Sequence, residues 1–271
     1  MRDIEKEIIE RISRQSGESN NPLFLEKIQS EWNKLKPKMK DFSDIYPVEE
    51  ITADSNALEK IKEDFELKTE MGIVGEGVAM EGIYELEWVA PDIEVLPTSE
   101  YDDIKNGIDF VLRLYDKKAK PLYLGIDVTT SELAIKEKRQ NILNFLRRGQ
   151  LAHLKYFADP ACGIKGKIDL PKIAIVLNPE RTLTAQNLLL KRKERQELSE
   201  KEKIELNKYK EEVEKEITNQ LQENIQNIKE LIKKTKYIRD KTKAKIKKDE
   251  YSDFLNKYQT FLEKIKEEVP Q

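Results

Sequence analysis

Asn106–Lys138 reads NGIDFVLRLYDKKAKPLYLGIDVTTSELAIKEK, and the architecture follows from its pattern. Ile108-Asp109-Phe110-Val111-Leu112 and Leu122-Tyr123-Leu124-Gly125-Ile126-Asp127-Val128 are short, β-rich apolar runs. Asp116, Lys117, Lys118, Lys120 and Pro121 form a polar break between them. Strand-like runs joined by a short polar break predict a β-hairpin. The break holds no Asn-Gly or Asp-Gly pair, so the turn type stays open. Each run carries one acid among apolar neighbours, Asp109 and Asp127. An isolated carboxylate is costly to bury, so each calls for a partner or a metal. Two acids on adjacent strands point to a hard-cation site with oxygen ligands.

Working outward, Ser131 is placed to cap a helix from about Glu132 to Arg148, with Gly149 as its stop. Ile135, Ile142 and Leu146 mark its apolar face, and Lys138 falls on that face whereas Lys136 turns elsewhere. An inward lysine either meets an anion or snorkels its ammonium to water. Upstream, GIVGEGVAMEGIYELEWV (Gly72–Val89) carries a helical apolar stripe despite its glycines, which lower helix propensity and allow close backbone approach. Glu76 borders the buried side; taken alone, it reads as an edge carboxylate. Ile93–Leu96 and Leu151–Ala158 are strand candidates, and KIAIVL (Lys172–Leu177) is a buried strand between Pro171 and Pro179. The alternation of strands and helices predicts a mixed sheet with helices packed on it.

The flanks differ. Residues 1–70 are expected to form an N-terminal helical layer, with helices near 4–12, Pro22–Leu35 and Ala57–Thr69. Residues 185–271 form a charged, glycine-free region. There Val213, Ile217, Leu221, Ile225, Ile228 and Ile232 repeat by threes and fours, as in a coiled-coil seam. A second helix through Phe254, Tyr258, Phe261 and Ile265 predicts a long helical hairpin, a route to a homodimer or a protein partner. Between the two lies a basic run that includes Lys233, Lys234, Lys241 and Lys243. Such a run is either a solvated face or a phosphate-binding patch.

Composition bounds the function. Apolar residues are 38% and charged residues 37%, which fits long exposed helices beside a modest core. A net charge of −3 gives no global drive toward nucleic acid, so basic surface must be local. A single cysteine, Cys162, excludes an internal disulfide and a cysteine zinc cage, and a single histidine, His153, argues against a histidine metal site. No apolar segment is long enough for a bilayer, and Met1–Glu5 lacks a signal-peptide core, so a cytoplasmic protein without a membrane partner is expected.

GIVGEGVA on a helix, NGIDFVL and LGIDVTTS on successive strands, and a following helix with an inward Lys138 together resemble the PD-(D/E)XK nuclease superfamily. The resemblance covers about residues 72–177, within a core assigned to 71–184. It implies an α/β, restriction-endonuclease-like fold and a metal-dependent DNA endonuclease that hydrolyses phosphodiester bonds. By the same resemblance Glu76, Asp109, Asp127 and Lys138 are the catalytic set. Asp109, Asp127, the Val128 carbonyl and Glu76 would hold Mg²⁺ or Mn²⁺. Lys138 would stabilise charge in the transition state. The family's usual lysine position, two residues after the second acid, holds Thr129. That departure keeps a second expectation in view, a catalytically inactive nuclease-fold protein serving nucleic-acid binding or assembly.

Overall fold

The computed structural model describes residues 30–64, 70–86, 88–89, 92–115, 121–237 and 241–268. Its main sheet comprises β1 (Ile93–Pro97), β2 (Phe110–Leu114), β3 (Leu122–Thr129) and β6 (Lys172–Val176), in that spatial order. The expected hairpin is present: β2 and β3 are antiparallel, with Phe110 opposite Ile126 and Leu114 opposite Leu122. Residues 116–120 of its connection lie outside the described residues. β1 adds antiparallel to β2, and β6 adds parallel to β3, so the sheet is mixed. A parallel neighbour needs a crossover. The chain supplies α4 (Glu132–Arg148) and then a second, two-stranded sheet, β4 (Ala152–Asp159) and β5 (Ile164–Leu170).

The end signals of α4 act as the sequence predicts. The Ser131 hydroxyl accepts from the Ala134 N–H, and Gly149 closes the helix in the left-handed conformation. Ile135, Ile142 and Leu146 are buried, and Lys136 is exposed. Leu151–Ala158 becomes β4, but β4 pairs with β5 rather than with the main sheet. The pair packs Leu154, Phe157 and Leu170 onto Ile108 and Val111 as a small separate core.

Alternation along β3 sends side chains to opposite layers. On one side lies α2 (Glu70–Leu86), the glycine-rich helix. A Cβ on Gly75 would stand 3.0 Å from the Thr130 methyl and 3.8 Å from Val128 Cγ1, so glycine is what lets α2 settle on the end of β3. On the other side Asp127 meets Lys138 of α4.

Before the sheet, residues 30–35 are helical, and α1 spans Val48–Asp64, beginning upstream of the expected Ala57; the expected helix near 4–12, the first part of Pro22–Leu35 and residues 65–69 lie outside the described residues. After it come α5 (Pro179–Lys193), α6 (Glu200–Thr235) and α7 (Lys241–Glu268). The apolar stripe of α6, Val213, Ile217, Leu221, Ile225 and Ile228, is buried in the same continuous core as the sheet, together with Tyr258, Phe261 and Ile265 of α7. That stripe is therefore covered within the chain. Among the described residues, no helix is long and apolar enough to cross a membrane.

Candidate functional site

The site forms where β2 begins and β3 ends. Asp109 directly precedes β2, and its N–H donates to the Ile126 carbonyl at 2.9 Å, extending the ladder by one residue. The Thr98 hydroxyl lies 2.6 Å from the Ile108 carbonyl and 2.8 Å from the Asp109 carbonyl, which fixes that backbone further. Asp109 Oδ2 accepts the Val128 N–H at 2.6 Å. Strand register thus aims the carboxylate, independently of any side-chain partner.

Glu76 reaches the same spot from α2, and Asp103 reaches it from α3 (Glu100–Asn106). One carboxylate oxygen from each of Glu76, Asp103 and Asp109 lies within 4.8 Å of the others, and all three residues are buried. Asp103 is the member that the sequence did not single out. The visible signal was the adjacent acids Asp102 and Asp103 in a polar segment. Consecutive helical residues point about 100° apart, so the two acids cannot share a role.

Asp102 is the structural one. It is fully buried and accepts from Ser99 Oγ at 2.7 Å, Asn106 Nδ2 at 2.8 Å, Lys155 N at 2.8 Å and Tyr156 N at 2.9 Å. These bonds sew α3 to β4. With α3 fixed, its next residue turns toward Glu76 and Asp109. Gly107 ends α3 at φ 62°, in the left-handed region that glycine adopts without strain. A Cβ there would also stand 3.1 Å from Lys172 Nζ.

Asp127 occupies the neighbouring position but a different chemical setting. Its Oδ1 pairs with Lys138 Nζ, and its Oδ2 lies 2.7 Å from Lys172 Nζ. Lys138 Nζ also donates to the Val128 carbonyl at 3.2 Å, and Lys172 Nζ donates to the Asn106 carbonyl at 3.2 Å. Val128 is the joint between the two settings: its N–H serves Asp109, and its carbonyl serves Lys138. Lys138 thus meets the anion that its inward position calls for. Lys172 went unremarked in the sequence because it reads as the boundary of a buried strand. Its backbone is held from the C-terminal helices. Tyr258 Oη accepts from Lys172 N at 3.2 Å and donates to Lys172 O at 3.0 Å, and Asn224 Nδ2 donates to Lys172 O at 3.4 Å.

The structure therefore brings Glu76 and Asp109 together with Asp103, and brings Asp127, Lys138 and the Val128 carbonyl together with Lys172. Lys233 and Lys234 lie exposed near the end of α6, and Lys241 and Lys243 lie exposed at the start of α7. Tyr251 Oη donates to the Arg147 carbonyl at 3.2 Å, so α7 touches the C-terminal end of α4. Lys138, by contrast, sits in the first half of that helix. Residues 238–240 of the run lie outside the described residues.

The donor set of the acidic trio is all carboxylate oxygen. That chemistry fits a hard divalent cation such as Mg²⁺ or Mn²⁺ and not a soft metal. Comparison of the chain with protein-family models, curated proteins and solved structures returned no match, so the reading of this site rests on its own residues.

Proposed function

We propose that this chain is a metal-dependent phosphodiester hydrolase acting on DNA, built on a restriction-endonuclease-like fold. The observation that carries the reading is the convergence of Glu76, Asp103 and Asp109 within 4.8 Å, one peptide unit away from the Asp127–Lys138 pair. Support for the fold comes from a helix bearing Glu76, two antiparallel strands with Asp109 at the entry of the first and Asp127 within the second, and a following helix bearing Lys138, in that chain order. The mixed sheet, with its fourth strand parallel to the third, is consistent with it.

In this reading Glu76, Asp103 and Asp109 hold the cation. A bound Mg²⁺ would supply Lewis acidity, lowering the pKa of an attacking water and neutralising charge on the phosphate. The protein's own part is positioning. The Val128 N–H fixes the Asp109 carboxylate, and α3, pinned by Asp102, fixes Asp103. Asp127 holds the ammonium groups of Lys138 and Lys172 beside the trio, where a donor can stabilise charge developing on a phosphate oxygen. The exposed lysines of α6 and α7 supply sequence-independent attraction for the nucleic-acid backbone.

A second reading has its own observation. Both oxygens of Asp127 are engaged by lysines, and Thr129 stands where the family's lysine is expected. A nuclease fold that has lost catalysis and binds nucleic acid would show that balance. Incubating the protein with supercoiled and linear DNA in Mg²⁺, Mn²⁺ or EDTA separates the two. The nuclease reading expects cleavage with either metal and none in EDTA. Retained DNA binding with no cleavage of any DNA form favours the second.

A further inference from the structure

Lys36 brings its ammonium to the acidic trio from outside the sheet. Its Nζ lies 3.6 Å from Glu76 Oε1 and 3.4 Å from Asp103 Oδ2, and its side chain is only 19% exposed. The flanking segment delivers it there. Trp32 is buried beside α2, donates from Nε1 to Glu81 Oε2 at 3.3 Å and packs edge-on to Tyr84. The Lys36 N–H closes that helix on the Trp32 carbonyl at 3.0 Å. Beyond Pro37, the short 3₁₀ turn Met39–Phe42 buries Phe42 edge-on against Tyr156 of β4. Lys36 thus sits between two docked points and carries its ammonium on an intrinsically flexible four-carbon stem.

We infer that Lys36 is a built-in counter-cation of the site, its ammonium competing with a divalent metal for Glu76 and Asp103 and so setting the metal affinity. The inference rests on the reading of the trio as a metal site. The seated ammonium is a separate observation from the acids themselves: a positive group is already drawn to two of the three carboxylates. An ammonium offsets one of three negative charges and offers hydrogen bonds to particular oxygens. A divalent cation offsets two and takes an oxygen from every member. Metal entry therefore asks only that the lysine swing aside, with the Trp32 and Phe42 anchors left in place.

The test is titration of the full chain with Mn²⁺ alone, followed by calorimetry and by paramagnetic resonance of free Mn²⁺. Wild type, Lys36→Met and Lys36→Arg are compared. One unit charge a few ångströms from the metal, at an effective dielectric near 20, is worth about tenfold or more in affinity. Lys36→Met is therefore expected to bind at least about tenfold tighter than wild type, and Lys36→Arg to stay close to wild type. Equal affinity in wild type and Lys36→Met overturns the role of Lys36 and leaves the metal site standing. No binding by any of the three overturns the metal site and the inference together. If Lys36→Met is too unstable for titration, its melting temperature decides. A larger rise with Mn²⁺ than in wild type supports the competition, and a smaller rise contradicts it.

Discussion

Two charge clusters on this molecule differ in how their buried charges are matched. Around Arg113 the buried charges are matched one to one, the guanidinium against the buried Asp159 carboxylate, with Glu94 as a more exposed second partner. Its guanidinium pairs with Asp159 and Glu94, and Tyr123 Oη donates to Asp159 Oδ2 at 2.7 Å, which ties the main sheet to the β4–β5 pair. At the other cluster, Glu76, Asp103 and Asp109 gather carboxylates against one another, with Lys36 touching two of them. A balanced buried pair specifies packing. A gathering of like charges opposes folding, and a bound cation, as proposed above, would relieve that repulsion.

The largest expected effect breaks the balanced cluster. Arg113→Met strands the Asp159 carboxylate in the interior, and removing one partner of a buried pair costs about 3–5 kcal/mol. Urea denaturation should show that loss. The opposite sign is expected at the trio: Asp109→Asn removes a like charge, so stability should hold or rise by up to about 1 kcal/mol while activity is lost. A fall comparable to that of Arg113→Met would place Asp109 among the structural ion pairs.

Lys138→Ala is next in size. If its ammonium acts on charge made in the transition state, turnover should drop by about 2.7–4 kcal/mol with little change in DNA affinity. Lys136→Ala, on the exposed side of the same helix, is the control and should be nearly silent. Single-turnover rates measured beside equilibrium binding separate these outcomes; equal losses in the two variants would take the role away from Lys138.

Smaller effects probe the periphery. Replacing Lys233, Lys234, Lys241 and Lys243 with Gln should flatten the salt dependence of duplex binding, since each phosphate contact contributes a slope of about −0.9. An unchanged slope would make the run a solvated face. At the balanced cluster, burial alone would raise the Asp159 carboxyl, but hydrogen bonds from Arg113, Tyr123 and Cys162 and the Arg113 charge outweigh it and hold the group below the ordinary carboxylate range. A depressed folded-state pKa contributes stability that is complete above the unfolded value of 3.8 and disappears as pH falls through the folded value. Wild type should therefore lose more stability below pH 3.8 than a protein in which Asp159 is replaced by Asn, as denaturation at a series of acid pH values would show.

Local signals made much of the frame legible. The polar break predicted the β2–β3 pairing, Ser131 and Gly149 fixed the ends of α4, and the spacing of Ile135 and Ile142 distinguished Lys138 from Lys136. What stayed hidden depends on contacts between distant segments. Asp102 and Asp103 are alike in sequence, and only the docking of α3 on β4 decides which is consumed by backbone N–H groups. Lys172 gains its partner because β6 lies parallel to β3 with Lys172 beside Gly125, two residues before Asp127. Lys36 precedes a proline in an irregular stretch, and nothing local says that Trp32 anchors it over Glu76. The β4 pattern showed a strand and not its partner, because alternation reports which face is buried and not which strand lies alongside.

If the like-charged cluster is the working end of the protein, as proposed, cleavage must depend on its carboxylates. The most direct measurement is cleavage of supercoiled plasmid in Mg²⁺ by wild type and by Asp109→Asn, with folding of the variant checked by circular dichroism. Wild type is expected to nick or linearise the plasmid, and the folded variant to do so at least about a hundredfold more slowly, the scale of losing one electrostatic group at a catalytic centre. Absence of cleavage by wild type, or equal cleavage by the two, would take that role away from the cluster.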